Sequence, residues 1–295
     1  MRMVKYITPQ MMTLIGCTLL IAVGQQLHAG ERPRVGAFAV SFDQHDERCR
    51  FADFVKRTLP KAAADKALAD PANATQQYVY ELGGASWRMY VPENDDGREA
   101  MGLLVWIDAG DKPAVPAGWA QVLRARRMIY VAAENSGNNR DAGERIAMAV
   151  DAAFNVAKRY KIDERRVYVS GMSGGSRCAS WAAISYPDVF TGGLFICGVN
   201  FYKPLELPGK GTLPAMMGFD AALLEKAKAD HRYVLLTGDR DPNQPSTKVV
   251  YQGFVDEKFA HVNYVQVPGM GHVIPNARWF AEGLDKLDPR PRPRK

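Results

Sequence analysis

From residue 78 onward, short unbroken apolar runs alternate with stretches in which apolar residues recur every three or four positions. The runs fall at 102–107, 128–132, 167–170, 194–197 and 233–237, with a last one at 262–267. Runs of this kind suit strands covered on both faces, as in a parallel sheet between helices. Between them, Ile146, Ala149, Val150, Ala153, Phe154 and Ala157 mark one face of a helix over 143–160. Residues 221–229, 247–259 and 276–287 carry the same period. Residues 78–82 and 87–91 flank Gly83-Gly84-Ala85-Ser86, which predicts a β-hairpin ahead of the alternating part. The expected fold is therefore α/β, a mostly parallel central sheet with helices on both faces. No repeat or long linker divides 78–287, which reads as one catalytic-sized domain. Residues 30–77 are less regular and read as an N-terminal extension, with room for a helix within 48–66 and a break at Asp70-Pro71-Ala72-Asn73. The loop 198–218, containing Pro204, Pro208 and Pro214, is long enough to build binding surface.

Composition narrows the class. The chain has 295 residues, 47% hydrophobic and 24% charged, which excludes disorder, collagen and a multi-span membrane protein. Its net charge is +6, but Arg2, Lys5, Arg290, Arg292, Arg294 and Lys295, all near the ends, account for the whole excess. The body is neutral and offers no basic face to nucleic acid. Residues 1–29 read as an export signal: Arg2 and Lys5, an apolar run over 11–23, and a polar exit ending at Ala29. A run of about 13 residues is too short for a permanent membrane span. Leu14-Ile15-Gly16-Cys17 resembles a bacterial lipoprotein box, yet the apolar residues continue past Cys17. Cleavage after Ala29 and a periplasmic or secreted location are expected, with lipidation at Cys17 the alternative. The tail 288–295 alternates proline with charge and should be extended and solvated. Cys49, Cys178 and Cys197 remain, an odd number that allows at most one disulfide and fits no zinc spacing. Cys178 and Cys197 fall in apolar segments and read as small buried hydrophobes.

The sharpest chemical signal is Gly171-Met172-Ser173-Gly174-Gly175, set between the strand at 167–170 and a helical stretch at 178–186. A flexible turn is the bland reading. A strand turning at once into a helix instead holds a serine in a strained position, with its oxygen facing the helix start. Helix N-terminal amides favour negative charge there. A serine hydroxyl needs a base. His45, His231 and His261 suit surface or helix-end roles, whereas His272 stands just beyond the last strand, on the edge that carries Ser173. The acid that orients such a base comes from Leu235-Leu236-Thr237-Gly238-Asp239-Arg240-Asp241. Asp241 reaches past the strand end toward a neighbouring loop; Asp239 is the alternative, unless it pairs with Arg240 or caps the turn. Asp239, Asp241 and Asn243 also echo a calcium loop, but Gln244 and Val250 stand where its glycine and closing glutamate belong. No metal or cofactor is expected.

With Ser173, Asp241 and His272 in that order, the sequence resembles the α/β-hydrolase superfamily, and more closely its secreted polyhydroxybutyrate depolymerase and feruloyl esterase-like branch. The echoes are Arg88-Met89-Tyr90-Val91-Pro92, the serine turn, Tyr186-Pro187-Asp188-Val189-Phe190 and Pro268-Gly269-Met270-Gly271-His272, spread over 78–287. The resemblance implies attack by Ser173 on an ester carbonyl, His272 as base, and an acyl-enzyme released by water. It also implies an oxyanion hole made by Gly174 N–H and a donor from the loop after 102–107. Relatives often carry His-Gly in that loop; this chain has Asp108-Ala109-Gly110-Asp111, leaving Ala109 or Gly110 N–H as the expected donor. Two carboxylates there oppose an oxyanion, and favour neutral or cationic substrates, unless they point away or are paired. Asn135, Asn138 and Arg140 on one loop, and Asn200, Phe201 and Tyr202 on another, are candidate substrate contacts, with turn formation and solvation as competing roles. Trp119 and Trp181 read as core. The expectation is an exported serine hydrolase acting on a small-molecule or polymer-derived ester. A peptidase on the same fold and a non-catalytic envelope binding protein are the alternatives.

Overall fold

A computed structural model describes residues 34–94, 97–215 and 217–289. The export signal expected at 1–29, with Cys17, and the tail from 290 lie outside the described residues. The elements run β1 (Gly36–Val40), α1 (Phe51–Thr58), α2 (Lys61–Ala69), β2 (Trp87–Val91), β3 (Met101–Ile107), α3 (Trp119–Ala125) and β4 (Met128–Ala133). They continue with α4 (Ala142–Arg159), β5 (Ile162–Met172), α5 (Gly174–Ser185), β6 (Gly192–Ile196), β7 (Leu205–Leu207), β8 (Gly211–Leu213) and α6 (Ala221–Asp230). The last are β9 (Arg232–Gly238), α7 (Gln244–Asp256), β10 (His261–Val267) and α8 (Ala277–Leu287).

Eight strands form one sheet in the order β1-β2-β4-β3-β5-β6-β9-β10, and β7 and β8 form a separate ribbon. Every neighbour from β4 to β10 is parallel. The apolar runs are explained by burial on both sides. Leu103, Val105, Ile107, Ile129, Val131 and Val169 face a core shared with α1, α4, α5 and α7. Leu104, Trp106, Tyr130 and Tyr168 face a second core under α3 and α8. The α/β expectation thus matches the structure. No helix among the described residues is long and apolar enough to cross a membrane.

The predicted hairpin does not form. Tyr78 makes only an isolated bridge to Arg50, and β2 pairs antiparallel with β1 on one side and β4 on the other. The described part of the expected N-terminal extension, 34–77, is therefore built into the domain, because β1 supplies an edge of the sheet. What draws 78–82 away is a buried acid. Asp151 of α4, fully buried, accepts hydrogen bonds from Tyr80 Oη at 2.6 Å and Asp46 N at 2.7 Å, and its Oδ2 lies 2.7 Å from His45 Nδ1. His45 is thereby a packed residue and not a surface one. The helix expected within 48–66 is split into α1 and α2 by Pro60, which caps α2 and cannot donate within α1. Asp288, expected to open a solvated tail, is buried and takes Arg166 Nε and Nη2 at 2.8 and 2.7 Å. Cys49, Cys178 and Cys197 are all buried and free.

Trp119 links the packing to the site. Its ring stacks on Phe280 at 3.6 Å and meets Trp106 edge-on at 5.4 Å. Its Nε1–H donates to Pro275 O at 3.0 Å, tying down the loop that carries His272. Trp119→Ala is expected to lower stability by about 3–5 kcal/mol, and Trp119→Phe, which keeps a ring but loses the hydrogen bond, by about 1–2 kcal/mol. Urea unfolding midpoints measure both.

Candidate active site

β5 ends at Met172 and α5 begins at Gly174, so Ser173 alone carries the reversal. Its backbone adopts φ 55° and ψ −119°, a strained region costing a residue with a side chain on the order of 1–3 kcal/mol. Neighbours hold it there. Ser173 N donates to Ile196 O at 2.9 Å and Ser173 O accepts from Arg177 N at 3.0 Å. A Cβ at Gly175 would collide with the Ile107 carbonyl oxygen, and one at Gly171 would lie 2.6 Å from the same atom. The two glycines are required because the start of α5 lies directly on the end of β3.

The other two groups arrive on adjacent loops. β9 and β10 end side by side, Gly238 opposite Val267, so the chains leaving them rise at the same edge as Ser173. His272 Nε2 lies 2.8 Å from Ser173 Oγ, and His272 Nδ1 lies 2.8 Å from Asp241 Oδ1. Asp239 is turned elsewhere: its Oδ1 accepts Gly269 N–H at 2.8 Å and fastens the histidine loop to the end of β9.

Asp241 is buried. Thr237 Oγ1 donates to its Oδ2 at 2.7 Å and Asn243 N to its Oδ1 at 3.0 Å. Burial alone would raise its pKa, but the donors Thr237, Asn243 N–H, His272 and Cys197 together hold it below the ordinary carboxylate value. Cys197 is more than a packed hydrophobe. Its thiol is pushed up to about 12 by burial and by Asp241, and its carbonyl accepts Asn243 Nδ2–H at 2.9 Å. Thr237, Asn243 and Cys197 escaped sequence reasoning, although an Asp-x-Asn step at a strand end signals a turn in which the side chain accepts a backbone N–H. Among the described residues, Cys197, Asp241 and His272 are the group able to hold a metal, their donor atoms all lying within 4.8 Å of one another.

The loop after β3 is folded against its own carboxylates. Asp108 accepts Trp106 Nε1–H at 2.8 Å and Gly110 N–H at 2.7 Å, and Asp111 accepts Gly137 N–H at 2.9 Å. Buried Arg145 donates to Asp108 O at 2.7 Å and steadies the same backbone. Neither carboxylate is bare, but their partners are neutral N–H groups and both keep their negative charge. Gly110 N–H, being engaged, is not a free donor. Ala109 N–H has no acceptor among the described residues.

The candidate contacts divide. Asn138 sits at the site: its amide packs onto the Cα of Gly174, and its N–H donates to Ala109 O at 3.0 Å. Asn135, at φ 53°, lines a groove of about 930 Å³ together with Arg88, Tyr90 and Glu134. Arg140 is committed to Glu144 at 2.6 Å and to Asn135 O at 3.2 Å, a structural role. Tyr202 is buried and bonds Glu257 at 2.7 Å, so it belongs to the core. Asn200 and Phe201 line a smaller cavity beside α5. Trp119 is core as expected; Trp181 is half-buried and donates to Thr58 O at 2.8 Å, joining α5 to α1.

Comparison with known proteins follows the same lines. Residues 123–205 match the family model described as esterase PHB depolymerase, a stretch that holds Ser173 and ends before Asp241. A feruloyl esterase module from Clostridium thermocellum complexed with sinapinate superposes with TM-score 0.51 at 12% identity, over 68% of this chain and 82% of that one. The chain has the α/β-hydrolase fold. A hyperthermophilic esterase from the archaeon Pyrobaculum calidifontis gives a TM-score of 0.50 at 16% identity, over 69% of this chain and 79% of that one. A thermostable esterase reaches TM-score 0.43 at 18% identity over 62% of this chain, which spans about half (51%) of that one. No protein of curated function matches the sequence.

The sign of the Asp241 shift makes a prediction. Its folded pKa lies below the unfolded value, so its ionised form stabilises the fold above about pH 4, and that contribution is lost as pH falls through the folded value. Asp241→Asn is therefore expected to flatten the acid side of the stability curve below about pH 4, read from urea midpoints across a pH series.

Proposed function

We propose that this α/β-hydrolase is a serine hydrolase that cleaves carboxylic esters through an acyl-enzyme on Ser173. The observation that carries this reading is the unbroken chain from Ser173 Oγ to His272 to Asp241, both contacts 2.8 Å. Nucleophile, base and orienting acid stand within hydrogen-bond reach of one another, as the chemistry requires. The match of residues 123–205 to a polyester-cleaving esterase family supports the ester class. The signal pattern at 1–29 adds the compartment: the enzyme acts after export.

In the proposed cycle, Ser173 Oγ attacks the ester carbonyl carbon as its proton passes to His272 Nε2. The C=O electron pair moves onto oxygen, facing Gly174 N–H and Ala109 N–H. Collapse expels the alcohol, which takes the proton from His272. Water then attacks the acyl carbon and gives a proton to His272, which passes it to Ser173 Oγ as the acyl–oxygen bond breaks and the acid is released. Asp241 holds the ring tautomer and stabilises the imidazolium. The Asn138 amide, packed on Gly174, is positioned beside the same oxyanion.

A fluorophosphonate probe is expected to label Ser173, and Ser173→Ala is expected to remove both the label and turnover of short 4-nitrophenyl esters. Retained turnover in that variant ends the proposal. The two acids separate in kcat on the same esters. Asp241→Asn should lose on the order of 10⁴-fold, whereas Asp239→Asn, which acts through the loop, should lose less than about tenfold.

A further inference from the structure

Arg177 lies one turn into α5, its N–H bonded to the Ser173 carbonyl at 3.0 Å. The chain leaving β6 passes the same point, for a Cβ at Gly198 would stand 3.0 Å from Ser173 O. The next two residues, Val199 and Asn200, wall a cavity of about 270 Å³ closed by Leu213 and Val250. On a scale of about 30 Å³ per water, this is room for on the order of nine water-sized groups, enough for a short chain.

The charge of this cavity is uncompensated. Arg177 is half-buried, and its Nη1 donates to Asn200 Oδ1 at 3.1 Å and to Val199 O at 3.5 Å. Both acceptors are neutral, and among the described residues Arg177 makes no ion pair. Lys203 also lines the cavity, and no acidic residue does. Glu257, which takes Lys203, is shared with Lys228 at 3.3 Å and Tyr202 Oη at 2.7 Å. Asn200 is fixed in turn by its N–H to Ser180 Oγ at 2.9 Å. A planar guanidinium held by neutral partners in a partly desolvated recess, one helical turn from the Ser173 backbone, is built to receive a carboxylate.

We infer that this cavity is an anion subsite: it holds a carboxylate at the far end of the substrate's acyl chain, so that half-esters of short aliphatic dicarboxylic acids are preferred. The inference rests on the ester-cleaving reading of Ser173 and adds the substrate class.

The test compares mono-4-nitrophenyl glutarate with 4-nitrophenyl valerate, acyl chains of equal carbon number in which a carboxylate replaces the terminal methyl. The wild-type enzyme is expected to prefer the glutarate ester in kcat/KM. Arg177→Gln should lower that preference by about 10–100-fold, chiefly through KM, while valerate turnover, which also reports the fold, stays within about threefold. Arg177→Lys should restore part of the loss. Equal slowing of both esters by Arg177→Gln, or no wild-type preference, overturns the inference. Calorimetric binding of glutarate to Ser173→Ala, with and without Arg177→Gln, keeps the two readings apart. Arg177-dependent binding without any ester turnover upholds the subsite and sinks the esterase reading. Ester turnover with no glutarate binding does the reverse.

Discussion

The close approach of α5 to the Ile107 carbonyl at the end of β3 is the contact on which the site's geometry depends. β5 lies between β3 and β6, with Gly171 opposite Ile107 and Met172 opposite Ile196. Any side chain at Gly175 would force the helix away from β3. With the helix seated, the strained Ser173 backbone is held by bonds to Ile196 and Arg177, each worth about 1 kcal/mol, enough together to offset the strain. The same seating brings the Asp108 backbone beside Gly175, so one packing contact sets both the Ser173 turn and the start of the loop after β3.

Two buried aspartates show how burial and donors compete. Asp151 accepts from Tyr80, Asp46 N–H and His45, yet burial outweighs them and its pKa is raised. Asp241 also meets a desolvation penalty, but its donors win and its pKa is lowered. The first pair pins residues 42–50 onto α4, beside a Cys49 thiol held protonated by burial and by Asp151. The second faces an exposed His272 whose other nitrogen meets a hydroxyl. A His–Asp pair becomes chemistry where the imidazole is open to a reacting group; elsewhere it is a rivet.

The edge that carries the site is open and mixed in character. Val273 and Ile274, next to His272, are exposed apolar side chains, while Arg177 and Lys203 lie on the side of α5 and the chain after β6. The body of the chain is neutral in sum, so its electrostatics are decided by which charges find partners. Among the described residues Asp108, Asp111 and Arg177 all bond neutral partners and make no ion pair.

Local rules were enough for much of this. Unbroken apolar runs of strand length imply burial on two faces, and helical periodicity between them implies a parallel sheet. The glycines around Ser173 report a steric crowding that any strand-to-helix turn produces. The order of a serine, an aspartate and a histidine followed from which residues trail which strands. What the sequence left open were contests between distant segments. The hairpin signal at 83–86 was local, but β2 went to β1 and β4 because Tyr80 was drawn to Asp151. Asp239 and Asp241 are alike in sequence, and only the folded turn after β9 sends one to Gly269 N–H and the other to His272. Pairing decided the loop after β3, where Asp108 takes the Gly110 N–H, and the cavity, where Arg177 makes no ion pair among the described residues. Periodicity and steric fit act within a few residues and can be read along a line; the partner of a buried charge is chosen in three dimensions.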